Sequence, residues 1–151
     1  MNYEMVQLEE KIAVGISART NNQDPNVGAV IGGLWGRFFQ EGIYEAIPNK
    51  ANTKALGLYT DYEGKTEGNY TVTVACETLA EPQAGDFAVC RIPAGPYAKF
   101  IVKGDMVKAV AAAWEEIWKM DLPRSFICDF EEYQDDKMED AEIHIYVGLK
   151  K

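Results

Sequence analysis

Two stretches of this 151-residue chain carry large apolar side chains at three- and four-residue steps, and they constrain the fold most. The first runs Val27, Val30, Ile31, Leu34, Trp35, Phe38, Phe39; the second runs Val107, Val110, Trp114, Ile117, Trp118. That spacing gathers each set on one side of a helix, so each helix has an aromatic face to bury. The other apolar runs are short. The clearest, Tyr70, Val72, Val74 and Cys76, alternates with Thr71, Thr73, Ala75 and Glu77 as a one-sided strand does. Amphipathic helices among one-sided strands make an α+β domain in which helices lie over an antiparallel sheet.

Local signals place the boundaries. Val6/Leu8 and Ile12/Val14/Ile16 alternate, giving a strand over 5–17 with a break near Glu9-Glu10-Lys11, followed by a polar loop over 19–23. Asp24-Pro25 is a helix-start signal and Gly42 a stop; Asp105 is the cap expected for the second helix, which Leu122-Pro123 ends. Gly28, Gly32, Gly33 and Gly36 weaken the first helix by up to ~1 kcal/mol each relative to alanine. Packing must therefore hold it, and the glycines are expected to let it approach the sheet closely. A connection over 48–53, a strand over 56–62, a hairpin loop over 63–68 and a linker over 81–86 complete the first half. Strands over 87–92 and 97–102, separated by the bend Pro93-Ala94-Gly95-Pro96, open the second half. Strands over 126–133 and 141–147, flanking an acidic loop over 134–140, close it.

The order is β-α-β-β twice, with repeats over roughly 1–80 and 86–151. Leu34-Trp35-x-x-Phe38-Phe39 matches Ala113-Trp114-x-x-Ile117-Trp118, and Leu58-Tyr59 matches Phe130-Glu131 72 residues later. Two such copies are expected to sit about a pseudo-twofold axis, with their helices lining a common cleft over the sheet.

A formal charge of −9 with no basic cluster argues against a nucleic-acid-binding face. No segment approaches the ~20 apolar residues needed to span a membrane, and Met1–Val6 lacks the basic-then-apolar pattern of a signal peptide. Cys76, Cys90 and Cys128 are odd in number and lie in β-like runs, which fits buried thiols in a reducing cytoplasm. With scattered cysteines and His144 alone on an exposed-looking strand face, neither a metal nor a cofactor is expected.

The segment Cys128-Asp129-Phe130-Glu131-Glu132-Tyr133 sets two carboxylates between aromatic rings. In an apolar, aromatic-lined pocket a carboxylate supplies the counter-charge for an organic cation; the plain alternative is a pair of solvated glutamates. Strand alternation puts Phe126, Cys128, Phe130 and Glu132 on one face and Ile127, Asp129, Glu131 and Tyr133 on the other. Periodicity alone leaves Glu131 and Glu132 both open, because a bulge swaps faces.

Ile92-Pro93-Ala94-Gly95-Pro96-Tyr97-Ala98-x-Phe100, Phe130-Glu131-x-Tyr133 and the closing run Ala141–Val147, in that order, resemble the GyrI-like small-molecule-binding domain, the effector-binding module of AraC- and MerR-type multidrug-responsive regulators. The resemblance covers nearly the whole chain and implies a stand-alone member without a DNA-binding domain. It also implies a buried glutamate, Glu131 by motif match, that neutralises lipophilic cations between aromatic rings. The expected ligand-binding set is Glu131, Tyr133, Tyr59, Tyr97, Trp35, Phe38, Phe39, Trp114 and Trp118, although aromatic stripes at helical spacing are often plain core. Tyr59, the repeat partner of Glu131, is expected to point into the same cleft. Two other functions stay open from the resemblance. One is hydrolysis of cyclopropane-bearing natural products by Glu131 with Tyr97. The other is protein inhibition of DNA gyrase, in keeping with a protein partner such as gyrase or a regulator.

Overall fold

The computed structural model describes residues 2–64, 68–135 and 137–151. Its strands are β1 (Glu4–Leu8), β2 (Lys11–Asn21), β3 (Ala55–Thr60), β4 (Asn69–Thr78), β5 (Ala88–Ile92), β6 (Gly95–Gly104), β7 (Arg124–Tyr133) and β8 (Ala141–Leu149). The helices are α1 (Val27–Gln40), the one-turn α2 (Ile43–Ala46) and α3 (Met106–Lys119). The strands form one antiparallel eight-stranded sheet in the order β1-β6-β8-β7-β3-β4-β2-β5.

β1 leads directly into β2, and β5 into β6, so the strands at the two ends of that order are continuations of strands near the opposite ends. Leu8 pairs with Gly95 and Lys11 with Ile92 in one unbroken register, so the two bent strands run antiparallel through their bends at residues 9–10 and 93–94. The sheet thus curls over its own middle. Val6, Leu8, Ile92 and Tyr97 from the bent strands pack on Leu56, Leu58 and Phe130 of the central pair β3–β7, a core that no helix covers. On the other face α1 packs Leu34 and Phe38 over Val14, Val72 and Val74, while α3 packs Ala113, Trp114 and Ile117 over Phe100, Ile143 and Ile145.

The repeat is visible in the register. Leu58 lies opposite Phe130, its expected equivalent, which places the local twofold between them. Equivalent helix positions share their burial: Leu34 and Ala113 are buried, Phe38 and Ile117 are fully buried, and Phe39 and Trp118 are both exposed.

Several boundaries differ from expectation, each for a local reason. β2 continues to Asn21 because Thr20 and Asn21 pair with Tyr70 and Asn69, and Arg19 reaches the Asp61 carbonyl and Glu63. Asp24 does not cap α1. Its carboxylate accepts from the backbone N–H of Asn26, and the helix begins at Val27 with no side-chain cap. Asp105 does cap α3, accepting from Val107 N–H at 3.2 Å and Lys108 N–H at 3.0 Å. The four α1 glycines are not sites of close approach, since a Cβ at any of them meets open space. The hairpin loop expected over 63–68 lies in part, at 65–67, outside the described residues, as does position 136 of the acidic loop. Cys76 and Cys128 are buried, Cys90 is half-buried, and all three are free thiols. No helix among the described residues is long and apolar enough to cross a membrane.

Candidate functional site

The helices stand apart over the β3–β7 pair, leaving a cleft of about 1260 Å³ between them. α1 contributes Gly28, Ile31, Gly32, Trp35 and Phe39, and α3 contributes Val107, Val110, Trp114 and Trp118. Tyr59, Glu131 and Tyr133 rise from the central strands as its floor. Gly28 and Gly32 leave the first half of the α1 wall without side chains, and further along the helix Trp35 and Phe39 stack, ring centroids 6.1 Å apart. Trp35 meets Tyr133 edge-on at 5.0 Å, and Trp114 meets Tyr59 edge-on at 5.6 Å, so rings from both halves join across the floor.

Glu131 is the acidic group at the bottom, with 2% of its surface exposed. Three neutral donors hold it: Tyr133 Oη–H bonds to Oε1 at 2.7 Å, and Tyr59 Oη–H and Trp114 Nε1–H bond to Oε2 at 2.7 and 2.6 Å. None of these donors carries a positive charge. Burial raises the Glu131 pKa above the usual carboxylate range, and the hydrogen bonds from Tyr133, Tyr59 and Trp114 oppose that rise without cancelling it. Burial, with the neighbouring Glu131 charge, holds the Tyr59 and Tyr133 phenols well above their ordinary values, so both remain donors.

The second buried carboxylate is arranged differently. Asp129, fully enclosed, bonds Arg124 Nη2 at 2.6 Å, the Tyr62 hydroxyl at 2.5 Å and the Gly148 N–H at 2.8 Å. Arg124 also lies over the Phe126 ring, 4.3 Å from its centroid. Asp129 therefore already has its counter-ion, while Glu131 has none among the described residues. Glu45, Glu115 and Asp135 line the cleft as well, and Arg124 is the one basic side chain among its described lining residues.

The expected site set divides cleanly. Glu131, Tyr133, Tyr59, Trp35, Phe39, Trp114 and Trp118 all line the cleft. Phe38 does not, because it is fully buried between α1 and the sheet, in contact with Tyr44. Tyr97 does not either. It lies on the far face of the sheet against Phe130, and its hydroxyl donates to the Pro93 carbonyl at 2.7 Å. Along β6, Ala98, Phe100 and Val102 take the helix face, so strand alternation sends Tyr97 the other way. The Glu131–Tyr97 pair considered for hydrolysis is thereby split between opposite faces.

Of the two glutamates, Glu131 enters the cleft; Glu132 turns away, bonding Gln134 at 2.8 Å and facing Lys54 at 3.7 Å. The β7 bulge exists, but it precedes the pair: the register slips between Arg124 and Asp129, and Phe126 has φ 54°. That slip moves Phe126 from its expected face to the side of Tyr62 and Arg124 and leaves Ile127 exposed, while alternation holds from Cys128 onward. His144 is less exposed than expected, partly buried and 2.7 Å from Glu142. The lining residues Tyr62, Tyr70 and Arg124 were not anticipated. Asp129 could have been flagged, since alternation already put it on the Glu131 face.

Comparison with known proteins agrees with this architecture. YobU of Bacillus subtilis (strain 168), by its name a candidate transcriptional regulator, is 29% identical over 97% of each chain. The integron cassette protein VCH_CASS2 from the mobile metagenome of Vibrio cholerae superposes with a TM-score of 0.80 at 25% identity, covering 98% of this chain and 95% of its own. SAV2435, solved bound to tetraphenylphosphonium, superposes with a TM-score of 0.81 at 24% identity, over 99% and 94% of the two chains. The family model of the GyrI-like small-molecule-binding domain matches residues 1–150, and the chain belongs to that family.

Proposed function

We propose that the cleft binds hydrophobic organic cations and that Glu131 is their counter-charge, so that the chain senses or sequesters such compounds. The observation that carries this reading is a carboxylate 98% buried at the floor of an open aromatic cleft, with only neutral partners among the described residues. Burying an uncompensated charge is costly, and a cation arriving between the rings offsets that cost while the ring faces attract it. Asp129, one pleat away, has Arg124 and needs no ligand. The reading is supported by SAV2435, which shares the fold and was solved with tetraphenylphosphonium, a permanent lipophilic cation.

The mechanism follows from proton linkage. In the free protein burial raises the Glu131 pKa, so the carboxyl keeps its proton to higher pH than an ordinary glutamate does. A bound cation favours the ionised form, so binding expels that proton and affinity rises with pH until the free-state pKa is passed. Titrating tetraphenylphosphonium while following tryptophan fluorescence tests the reading, because Trp35, Trp114 and Trp118 all line the cleft. Saturable quenching is expected for the native protein. An unchanged signal, with no thermal stabilisation by the same compound, would remove the proposal.

A further inference from the structure

Building on that cation-binding reading, we infer that the cleft has a second recognition point, at which Arg124 donates a hydrogen bond to a neutral oxygen of the same bound cation, such as a carbonyl. Arg124 lines the cleft from the start of β7 and is only 8% exposed. A guanidinium carries five N–H donors. Among the described residues Arg124 makes one side-chain hydrogen bond, from Nη2 to Asp129 Oδ2 at 2.6 Å. Its Nε is buried with no partner. The other such atom among the described residues is Thr20 Oγ1, and Thr20 is not part of the cleft lining. A buried donor left unpaired is costly, so Arg124 is where an acceptor on a ligand gains most.

The surroundings set the position and the kind of acceptor. The Phe126 ring covers the guanidinium at 4.3 Å, and the Trp114 ring lies 5.9 Å from its carbon. The same indole donates to Glu131, so one side chain separates the buried carboxylate from the guanidinium. A ligand lying along Trp114 with its charged centre near Glu131 brings its other end to Arg124. Aromatic rings continue in that direction: Tyr59 meets Tyr70 at 5.8 Å, and Tyr70 meets Tyr62 at 6.0 Å. The hydroxyl protons of Tyr62 and Tyr70 are already committed to Asp129 and Asn22, whereas the guanidinium has N–H groups to spare. Asp129 already neutralises Arg124, and Glu131, Glu45, Glu115 and Asp135 make the cleft negative. An anionic group would meet that field, so the acceptor is a neutral oxygen.

The test compares, by isothermal titration, (4-oxo-4-phenylbutyl)trimethylammonium with (4-phenylbutyl)trimethylammonium, which differ only by a carbonyl in place of a methylene, with tetraphenylphosphonium as a positive control. Burial alone favours the hydrocarbon chain by about fourfold. A hydrogen bond from a charged donor outweighs that, so the ketone is expected to bind about tenfold tighter. Arg124→Met combined with Asp129→Asn removes the donor without leaving a carboxylate unpaired; it is expected to reverse the preference to about fourfold for the hydrocarbon, whereas a purely structural role would weaken both ions alike and keep their ratio. Arg124→Lys, which keeps a charge beside Asp129 but loses Nε, is expected to shrink the preference several-fold. A ketone that binds no tighter than the hydrocarbon, or a preference that survives these variants, overturns the inference while cation binding stands. Failure of all three compounds to bind overturns the cation-binding reading itself.

Discussion

Replacing Glu131 by glutamine separates the two consequences of a buried, unpaired carboxylate. The side chain keeps its shape, and the amide still meets Tyr133, Tyr59 and Trp114. The amide oxygen accepts two of their hydrogen bonds, and the amide nitrogen can donate to a tyrosine hydroxyl. What disappears is the charge. For a cation centred about 6 Å away, attraction at an effective dielectric constant of ~20 is about 2.8 kcal/mol, roughly a hundredfold in affinity. Isothermal titration with tetraphenylphosphonium should therefore show about a hundredfold weaker binding by Glu131→Gln, and little loss for a neutral hydrophobe that uses only the rings.

Stability should move the other way. A carboxyl whose folded-state pKa is raised contributes stability that is fully present below its unfolded pKa and is lost as pH rises through the folded value. The apo variant should therefore gain on the native protein as pH climbs from about 4 into the neutral range, read from melting midpoints across that window. Equal affinities for the cation, or an apo variant that gains nothing on the native protein as pH climbs through that window, would refute the reasoning that the charge is both uncompensated and used.

Other substitutions probe the frame of the site. Phe38→Ala removes a fully buried ring and should cost about 3–5 kcal/mol in denaturant unfolding, whereas Phe39→Ala, half-exposed on the cleft wall, should leave stability nearly unchanged and weaken tetraphenylphosphonium several-fold. Arg124→Met strands Asp129 without its counter-ion and should cost about 3–5 kcal/mol in denaturant unfolding. Gly57→Ala places a methyl 3.0 Å from Glu131 Oε1 and 3.4 Å from Trp35; about 1–3 kcal/mol of lost stability is expected, with reduced cation affinity.

The parts legible in the sequence were those that repeat. Aligning the two aromatic stripes matched Leu34 with Ala113, Trp35 with Trp114, Phe38 with Ile117 and Phe39 with Trp118, and each pair shares its environment in the fold. Read through, that alignment already marks Phe38 as core, since its partner is an isoleucine. The 72-residue offset likewise pointed Tyr59 into the same cleft as Glu131, to which its hydroxyl donates at 2.7 Å. What the sequence withheld depends on contacts distant along the chain. The curl of the sheet comes from the bent strands sharing one register, which composition does not encode. The far face buries an apolar cluster of its own, so Tyr97 beside a Gly/Pro bend gave no sign of which side it would take. The Arg124–Asp129 pair spans the β7 bulge, and a left-handed backbone at Phe126 has no glycine to announce it.

The central claim, that Glu131 is the counter-charge for a bound cation, is tested most directly by the carboxyl titration of Glu131, followed by carbon-13 NMR. In the free protein its midpoint should lie above the ordinary glutamate range, and saturation with tetraphenylphosphonium should move it down. An identical midpoint in the free and saturated protein would contradict the account.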